Sequence, residues 1–306
     1  MSIADVADCS TSNTVVPHER YDPLWDLIVT DADVKARLLR SALLAITVRV
    51  KLPFHVTALH GLALLTGPPG TGKSTLARGL ASKIAETTSG KARLVEINPH
   101  GLMSGEHGRS QQKVQKLLTE QVPQIADDGL PTVVLLDEVE SMAVARGAAS
   151  LAANPADVHR ATDAVLTALD EMTAIAPHVY VVATSNFTDA LDDALMSRAD
   201  VTLPMPLPGE RAIAQILSDT LTGFATAYPQ LSKVAADPRL KAVTKKLVGV
   251  DGRRARKLIT EAMQHRIETT LDPGLLTVDD ISYAATTWRD ARKAQLAEGA
   301  QPRASH

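Results

Sequence analysis

The sequence predicts an α/β protein: a parallel five-stranded sheet flanked by helices, followed by a small all-helical domain. Three observations predict it. Short apolar runs alternate with longer helical patterns through the first two thirds of the chain, a glycine-rich phosphate loop follows the first of those runs, and the strand signal stops at a proline-rich stretch. At 306 residues and 45% apolar content the chain has enough material for a core that needs no disulfides.

The elements follow in order. Residues 1–20 mix Ser, Thr, Asp and Asn without apolar periodicity and are expected to form a disordered leader. The α/β domain is placed at 21–205, with strands at 62–66 (LALLT), 93–97 (RLVEI), 132–136 (TVVLL), 179–184 (VYVVAT) and 201–203 (VTL). Near-continuous apolar runs of this kind suit strands buried on both faces, which is the environment of a parallel sheet. Pro204, Pro206 and Pro208 exclude a central strand or a helix interior and mark the boundary. Helical patterns then occupy 206–295, the last opening with Thr277 and Asp280 at capping-box spacing, and 296–306 read as a disordered tail.

Composition narrows the function. A net charge of −3 lacks the basic surplus of a dedicated nucleic-acid binder. Cys9 is the single cysteine, so no intrachain disulfide or cysteine-rich zinc site forms, and a reducing, cytoplasmic location fits best. The nine histidines lack metal-binding spacing, and no run approaches a membrane span. Trp25 and Trp288 read as packing anchors.

GPPGTGKST, from Gly67 through Pro68, Pro69, Gly70, Thr71, Gly72, Lys73 and Ser74 to Thr75, fits the pattern G-x-x-x-x-G-K-[ST] between a strand and a helix. Its glycines let backbone N–H groups curl around phosphate oxygens, and the helix N-terminus adds its positive dipole end. Lys73 is expected to reach the terminal phosphates of ATP, and the Ser74 hydroxyl to ligate Mg2+. The run TVVLL ends in Asp137 and Glu138, two acids whose proximity is costly unless a cation or water faces them. With Lys73 lying 64 residues earlier in the same sheet, Asp137 is expected to hold the metal through water and Glu138 to activate the attacking water. Asn186 closes the run at 179–184; its amide suits either the attacking water or a helix cap.

Two arginine positions carry a choice of readings. Arg198, in DALMSRADV, suits either a helix C-terminus or a cation supplied in trans to a neighbouring subunit. Arg253, in GVDGRRARKL, suits a contact to nucleotide, a solvated helix face or a nucleic-acid patch.

Together GPPGTGKST, LLDEVE, TSN, the arginine of SRAD and GVDGRRARKL resemble the AAA+ superfamily. The segments LWDLIVTDADVKARLL, LVEINPHGLMS and DEVESMAVAR narrow the resemblance to the pachytene checkpoint-type remodellers, which act on HORMA-domain proteins, and it spans about residues 24–290. The resemblance implies a P-loop AAA+ domain with a helical lid, assembled as a homohexamer that threads part of a HORMA protein through its pore. It implies ATP and Mg2+ binding by Lys73 and Ser74, the hydrolytic glutamate at Glu138, sensor 1 at Asn186, an arginine finger at Arg198 and sensor 2 at Arg253. The pore loop aligns with Met103, Ser104, Gly105, Glu106 and His107, a stretch without the aromatic residues usual in the family. Only 66 residues precede Gly67, too few for the separate recognition domain of eukaryotic members, so the chain is closest to short bacterial members linked to cyclic-oligonucleotide antiphage systems. The competing reading is a DNA-linked ATPase of clamp-loader or initiator type.

Overall fold

The computed structural model describes residues 10–97, 113, 115–141, 155–187 and 191–299. The chain divides into two compact units, Met1–Met205 and Pro206–His306.

The first unit is built on one sheet of six strands: β1 (Ser10–Val16), β2 (Leu62–Thr66), β3 (Ala92–Ile97), β4 (Thr132–Leu136), β5 (Val179–Ser185) and β6 (Val201–Pro204). Their order is β1-β3-β4-β5-β2-β6. The five strands read from the apolar runs are all present and pair in parallel, with Leu62 opposite Val181 and Ala63 opposite Val201. The sixth corrects two expectations, the strand count and the disordered leader. Residues 10–16, STSNTVV, pair antiparallel to β3, with Thr14 opposite Leu94. An edge strand needs little apolar surface, and here polar side chains do useful work. Ser12 Oγ donates to Glu96 Oε1 at 3.0 Å, joined by Tyr21 Oη at 3.1 Å and Arg78 Nε to Oε2 at 2.7 Å, so a nearly buried carboxylate acquires three donors.

Alternation along the buried strands sorts their side chains onto two faces. Leu62, Leu64, Val134, Leu136 and Val181 join one core, with Leu166, Leu169 and Met172. Ala63, Leu65, Val133, Leu135 and Tyr180 join the other, with Leu38, Leu76, Leu80 and Trp25. The helices supplying these residues are α1 (Leu24–Leu27), α2 (Ala32–Arg49) and α4 (Lys73–Thr87) on the second face, and α6 (Pro155–Ile175) on the first. Short helices α3 (Phe54–Thr57), α5 (Val122–Ile125) and α7 (Asp193–Arg198) also belong to this unit. Trp25 is a packing anchor here. A Cβ on Gly79 would lie 2.4 Å from its backbone nitrogen, so only glycine lets α4 approach α1 this closely.

The second unit is all-helical: α8 (Glu210–Ala225), α9 (Leu231–Ala235), α10 (Leu240–Lys246), α11 (Gly252–Met263), α12 (Ile267–Leu271) and α13 (Val278–Gly299). Its core is drawn from Ile213, Leu217, Leu221, Leu258, Ile259 and Ile281. The capping box forms as its sequence requires: Thr277 N donates to Asp280 Oδ2 at 3.0 Å and Asp280 N to Thr277 Oγ1 at 3.3 Å. Helix α13 continues through 296–299, where a tail was expected to begin, because Leu296, Ala297 and Glu298 all favour helix.

Candidate nucleotide site

All five parallel strands run the same way, so their C-terminal tips share one edge of the sheet, and the candidate site is assembled there. β2 ends at Thr66 and the chain turns through Gly67–Gly72 into α4. Gly67 adopts φ +141°, and a Cβ on it would lie 2.2 Å from the Met205 carbonyl oxygen. No other residue fits without moving the backbone. Gly70 and Gly72 also have positive φ, 78° and 96°. Thr71 Oγ1 donates to the Pro68 carbonyl at 3.0 Å and closes the turn. Gly72 opens α4 without a side-chain cap. First-turn amides have no acceptor within their own helix, which makes this end an anion site.

Lys73 is 5% exposed, and its ammonium occupies the centre of the loop. It donates to the Gly67 carbonyl at 2.6 Å, the Pro68 carbonyl at 2.9 Å and Asn186 Oδ1 at 2.8 Å. Asn186 turns its other amide atom to the acid: Nδ2 donates to Glu138 Oε1 at 3.2 Å. The structure thus gives Asn186 a place between Lys73 and Glu138 rather than at a helix cap; Asp192 caps α7 instead, accepting from Ala194 N at 2.9 Å. Ser74 Oγ donates to Asp137 Oδ1 at 2.6 Å, setting together two hard oxygens of the kind that suit Mg2+. The loop curvature, the α4 terminus and this oxygen pair fit a magnesium-bound nucleoside triphosphate.

Three residues of this region were not found from the sequence. Thr184, 1% exposed, donates from Oγ1 to Asp137 Oδ1 at 2.5 Å and accepts from Glu138 N at 3.0 Å. Glu138 itself sits at φ +55°, a left-handed conformation disfavoured for a non-glycine residue, and Thr184 Oγ1 accepts from its amide. Glu140 accepts from Asn186 N at 3.0 Å through Oε1, while its buried Oε2 has no hydrogen-bond partner among the described residues. Ile28 lies over the loop, its Cδ1 2.7 Å from where a Gly72 Cβ would stand. The available signals were the third acid of DEVE and the hydroxyl that closes VYVVAT.

Arg198 is elsewhere. Its Nε and Nη2 grip Asp170 at 2.9 and 2.8 Å, and Nη1 donates to the Ala194 carbonyl at 3.0 Å, the helix-terminus contact that its position allowed. The Asp170 carboxylate holds the guanidinium pKa above its ordinary value. His60 Nε2 stands 3.7 Å from Asp170 Oδ1. Two residues beyond Arg198, Asp200 accepts from the amides of His60, Gly61 and Leu62 at 2.9, 2.7 and 3.2 Å, where β2 begins. Arg198 therefore belongs to the entry end of the sheet and Lys73 to the exit end, separated by the length of a five-residue strand, roughly 17 Å. Arg253 is exposed at the second position of α11 in the other unit. Met103, Ser104, Gly105, Glu106 and His107 lie outside the described residues.

This geometry has relatives. Residues 63–207 match the ATPase family associated with various cellular activities (AAA). CD-NTase-associated protein 6 of Pseudomonas aeruginosa is 44% identical over 287 residues, covering 94% of this chain and 93% of that protein. The chain belongs to the AAA family of ATPases. Pachytene checkpoint protein 2 homolog of Arabidopsis thaliana is 36% identical to this AAA ATPase over 202 residues, 65% of the chain and 43% of that protein, so the chain spans less than half its length. In fold, this AAA ATPase is similar to a chain in the solved E. coli MS115-1 HORMA:CdnC:Trip13 complex, with TM-score 0.67 and 17% identity over 92% of this chain and 96% of that one. Among the described residues, no helix is long and apolar enough to cross a membrane.

Proposed function

We propose that this AAA ATPase works as a homohexamer that spends ATP on remodelling a HORMA-domain protein, in the setting of a bacterial cyclic-nucleotide defence system. Similarity to CD-NTase-associated protein 6 over nearly the whole length of both chains supports the setting. The fold shared with a chain from a complex named for a HORMA protein supports the partner. The observation that carries the enzymatic half is the continuous chain of contacts Lys73–Asn186–Glu138 at the tip of the sheet, with Ser74 and Asp137 beside it.

In this reading ATP is the substrate, and the loop from Gly67 to Thr75 holds its phosphates. Ser74 directly and Asp137 through water would hold magnesium, which when bound would neutralise phosphate charge. Lys73 adds positive charge at the terminal phosphate. Glu138 takes the proton from the attacking water, and Asn186 fixes the carboxylate by donating to Oε1. Arg198 lies too far from its own loop to assist there, so it completes the site of an adjacent copy by offsetting the charge that develops during transfer. Arg253 serves as sensor 2 on the lid, and Met103–His107 form the loop that grips the threaded segment.

The test mixes the purified protein with ATP and a HORMA protein holding a labelled closure peptide. Hydrolysis should rise several-fold and the peptide should leave, with neither effect for Glu138→Gln. Stimulation by duplex DNA with a steep salt dependence, and none by HORMA proteins, would replace this reading with the DNA-linked one.

A further inference from the structure

Two unfavourable local features stand close together just beyond the tip of β4. Glu138 holds φ +55°, and Glu140, in the short turn Val139–Ser141, buries Oε2 with no hydrogen-bond partner among the described residues. A left-handed non-glycine residue is strained, and a buried carboxylate oxygen left unpaired loses its hydration without replacement. Breaches of this kind gather where function rather than stability selects the residue. For Glu138 that function is the activation of water.

The other oxygen of Glu140 points to a second one. Oε1 accepts from Asn186 N at 3.0 Å. Asn186 follows Ser185, whose pairing with Thr66 is the last between β5 and β2, while pairing of β5 with β4 stops earlier, at Ala183 opposite Leu136. Beyond these ladders a backbone amide must find its acceptor elsewhere. Ser185 Oγ accepts from Phe187 N at 3.1 Å, inside the same segment. Glu140 instead reaches across from the neighbouring strand's turn, and a carboxylate is a stronger acceptor than a neutral oxygen. The turn is itself anchored, with Val139 wholly buried and Glu138 N donating to Thr184 Oγ1 at 3.0 Å.

Holding that backbone matters because the Asn186 side chain meets two groups at once. Oδ1 accepts from Lys73 Nζ at 2.8 Å, and Nδ2 donates to Glu138 Oε1 at 3.2 Å. The two atoms share one planar carboxamide, so a shift of the backbone that improves one contact spoils the other. We infer that Glu140 is a positioning residue for hydrolysis: by fixing the Asn186 backbone it sets the amide that orients Glu138. This role rests on the reading of Glu138 as the base, and it is exerted through Asn186. Lys73 keeps its contacts to the Gly67 and Pro68 carbonyls whatever stands at position 140, so nucleotide binding does not depend on Glu140.

The experiment is a double-mutant cycle on the full chain, with Glu140→Ala, Asn186→Ala and the two combined. Each is measured for phosphate release at varied ATP and for affinity toward fluorescent ADP. Glu140→Ala should lower kcat by about tenfold or more and leave ADP affinity within about twofold of the parent. The double variant should be no slower than Asn186→Ala, because the second change removes what the first one misplaces. Glu140→Gln keeps an acceptor at the same reach and should recover most of kcat. A normal kcat in Glu140→Ala overturns the inference. So do losses that multiply in the double variant, since Glu140 would then act apart from Asn186, and so does a parallel loss of ADP binding, which marks a merely structural role. Should Glu140→Ala fail to fold, Glu140→Asp, one methylene shorter, takes its place in the cycle. Failure of the underlying reading looks different: the unmodified protein would release phosphate no faster than Glu138→Gln.

Discussion

Thr184 stands between Asp137 and Glu138, donating from its hydroxyl to the Asp137 carboxylate and accepting from the Glu138 amide. Replacing it with valine keeps the shape and removes both bonds, taking from the Glu138 amide, at φ +55°, the hydroxyl that accepts from it. The expected cost is about 1–3 kcal/mol of stability, read as a fall in melting temperature. Turnover should drop by about tenfold or more as Glu138 loses its orientation, and Thr184→Ser should restore both. Binding and chemistry separate at two neighbouring positions: Glu138→Gln should still bind ATP while losing turnover, measured by fluorescent nucleotide titration beside phosphate release, whereas Lys73→Ala should lose binding itself. Normal turnover in Glu138→Gln would remove the assigned base. The loop, Asp137 and Glu138 stood out because their spacing is hard to explain otherwise, whereas Asn186 suited an attacking water or a helix cap equally until the fold set it between Lys73 and Glu138. Thr184 did not stand out, because a threonine in a strand is the residue β-propensity already favours. Glu140 was hidden for a related reason: an acid following two others looks like a solvated turn until its partner, the Asn186 amide from another strand, is brought next to it.

At the scale of elements, the five parallel strands were readable from their unbroken apolar runs, since burial on both faces demands such runs. β1 was unreadable because an edge strand is half-solvated and its use depends on a distant carboxylate, Glu96. The polar group at the entry end of the sheet was equally invisible, being assembled from loop, helix and strand starts. There His60 is held below the ordinary histidine pKa, chiefly by burial, with Arg198 and Arg49 acting in the same sense against Asp170 and Asp200. The unfolded chain takes up this proton near pH 6.5 and the folded chain only at lower pH. Folding stability therefore decreases as pH falls through that window, because the unfolded state binds more protons. His60→Gln should lessen the loss of melting temperature between pH 7.5 and 5.5; an identical loss in both proteins would show that His60 contributes nothing to it.

At the scale of the whole molecule, the ATPase unit holds the candidate nucleotide site at one end of its sheet and Arg198, paired with Asp170, at the other. No rearrangement inside a packed sheet brings the two together, because strand length fixes their separation. In the proposed homohexamer an adjacent copy would bring the two together, since a heterologous contact that closes on itself makes a ring. The consequence is measurable by complementation. Arg198→Ala subunits carry an intact Glu138 but deliver no guanidinium, while Glu138→Gln subunits deliver Arg198 but lack the base. Each alone should be nearly inactive. Mixed and allowed to exchange, they form boundaries where an intact Glu138 meets a donated Arg198, so hydrolysis should reappear and peak near equal proportions. Subunit exchange is followed separately by energy transfer between labelled copies. Exchange without recovered hydrolysis would mean that Arg198 acts within its own chain, and the head-to-tail ring would lose its catalytic basis.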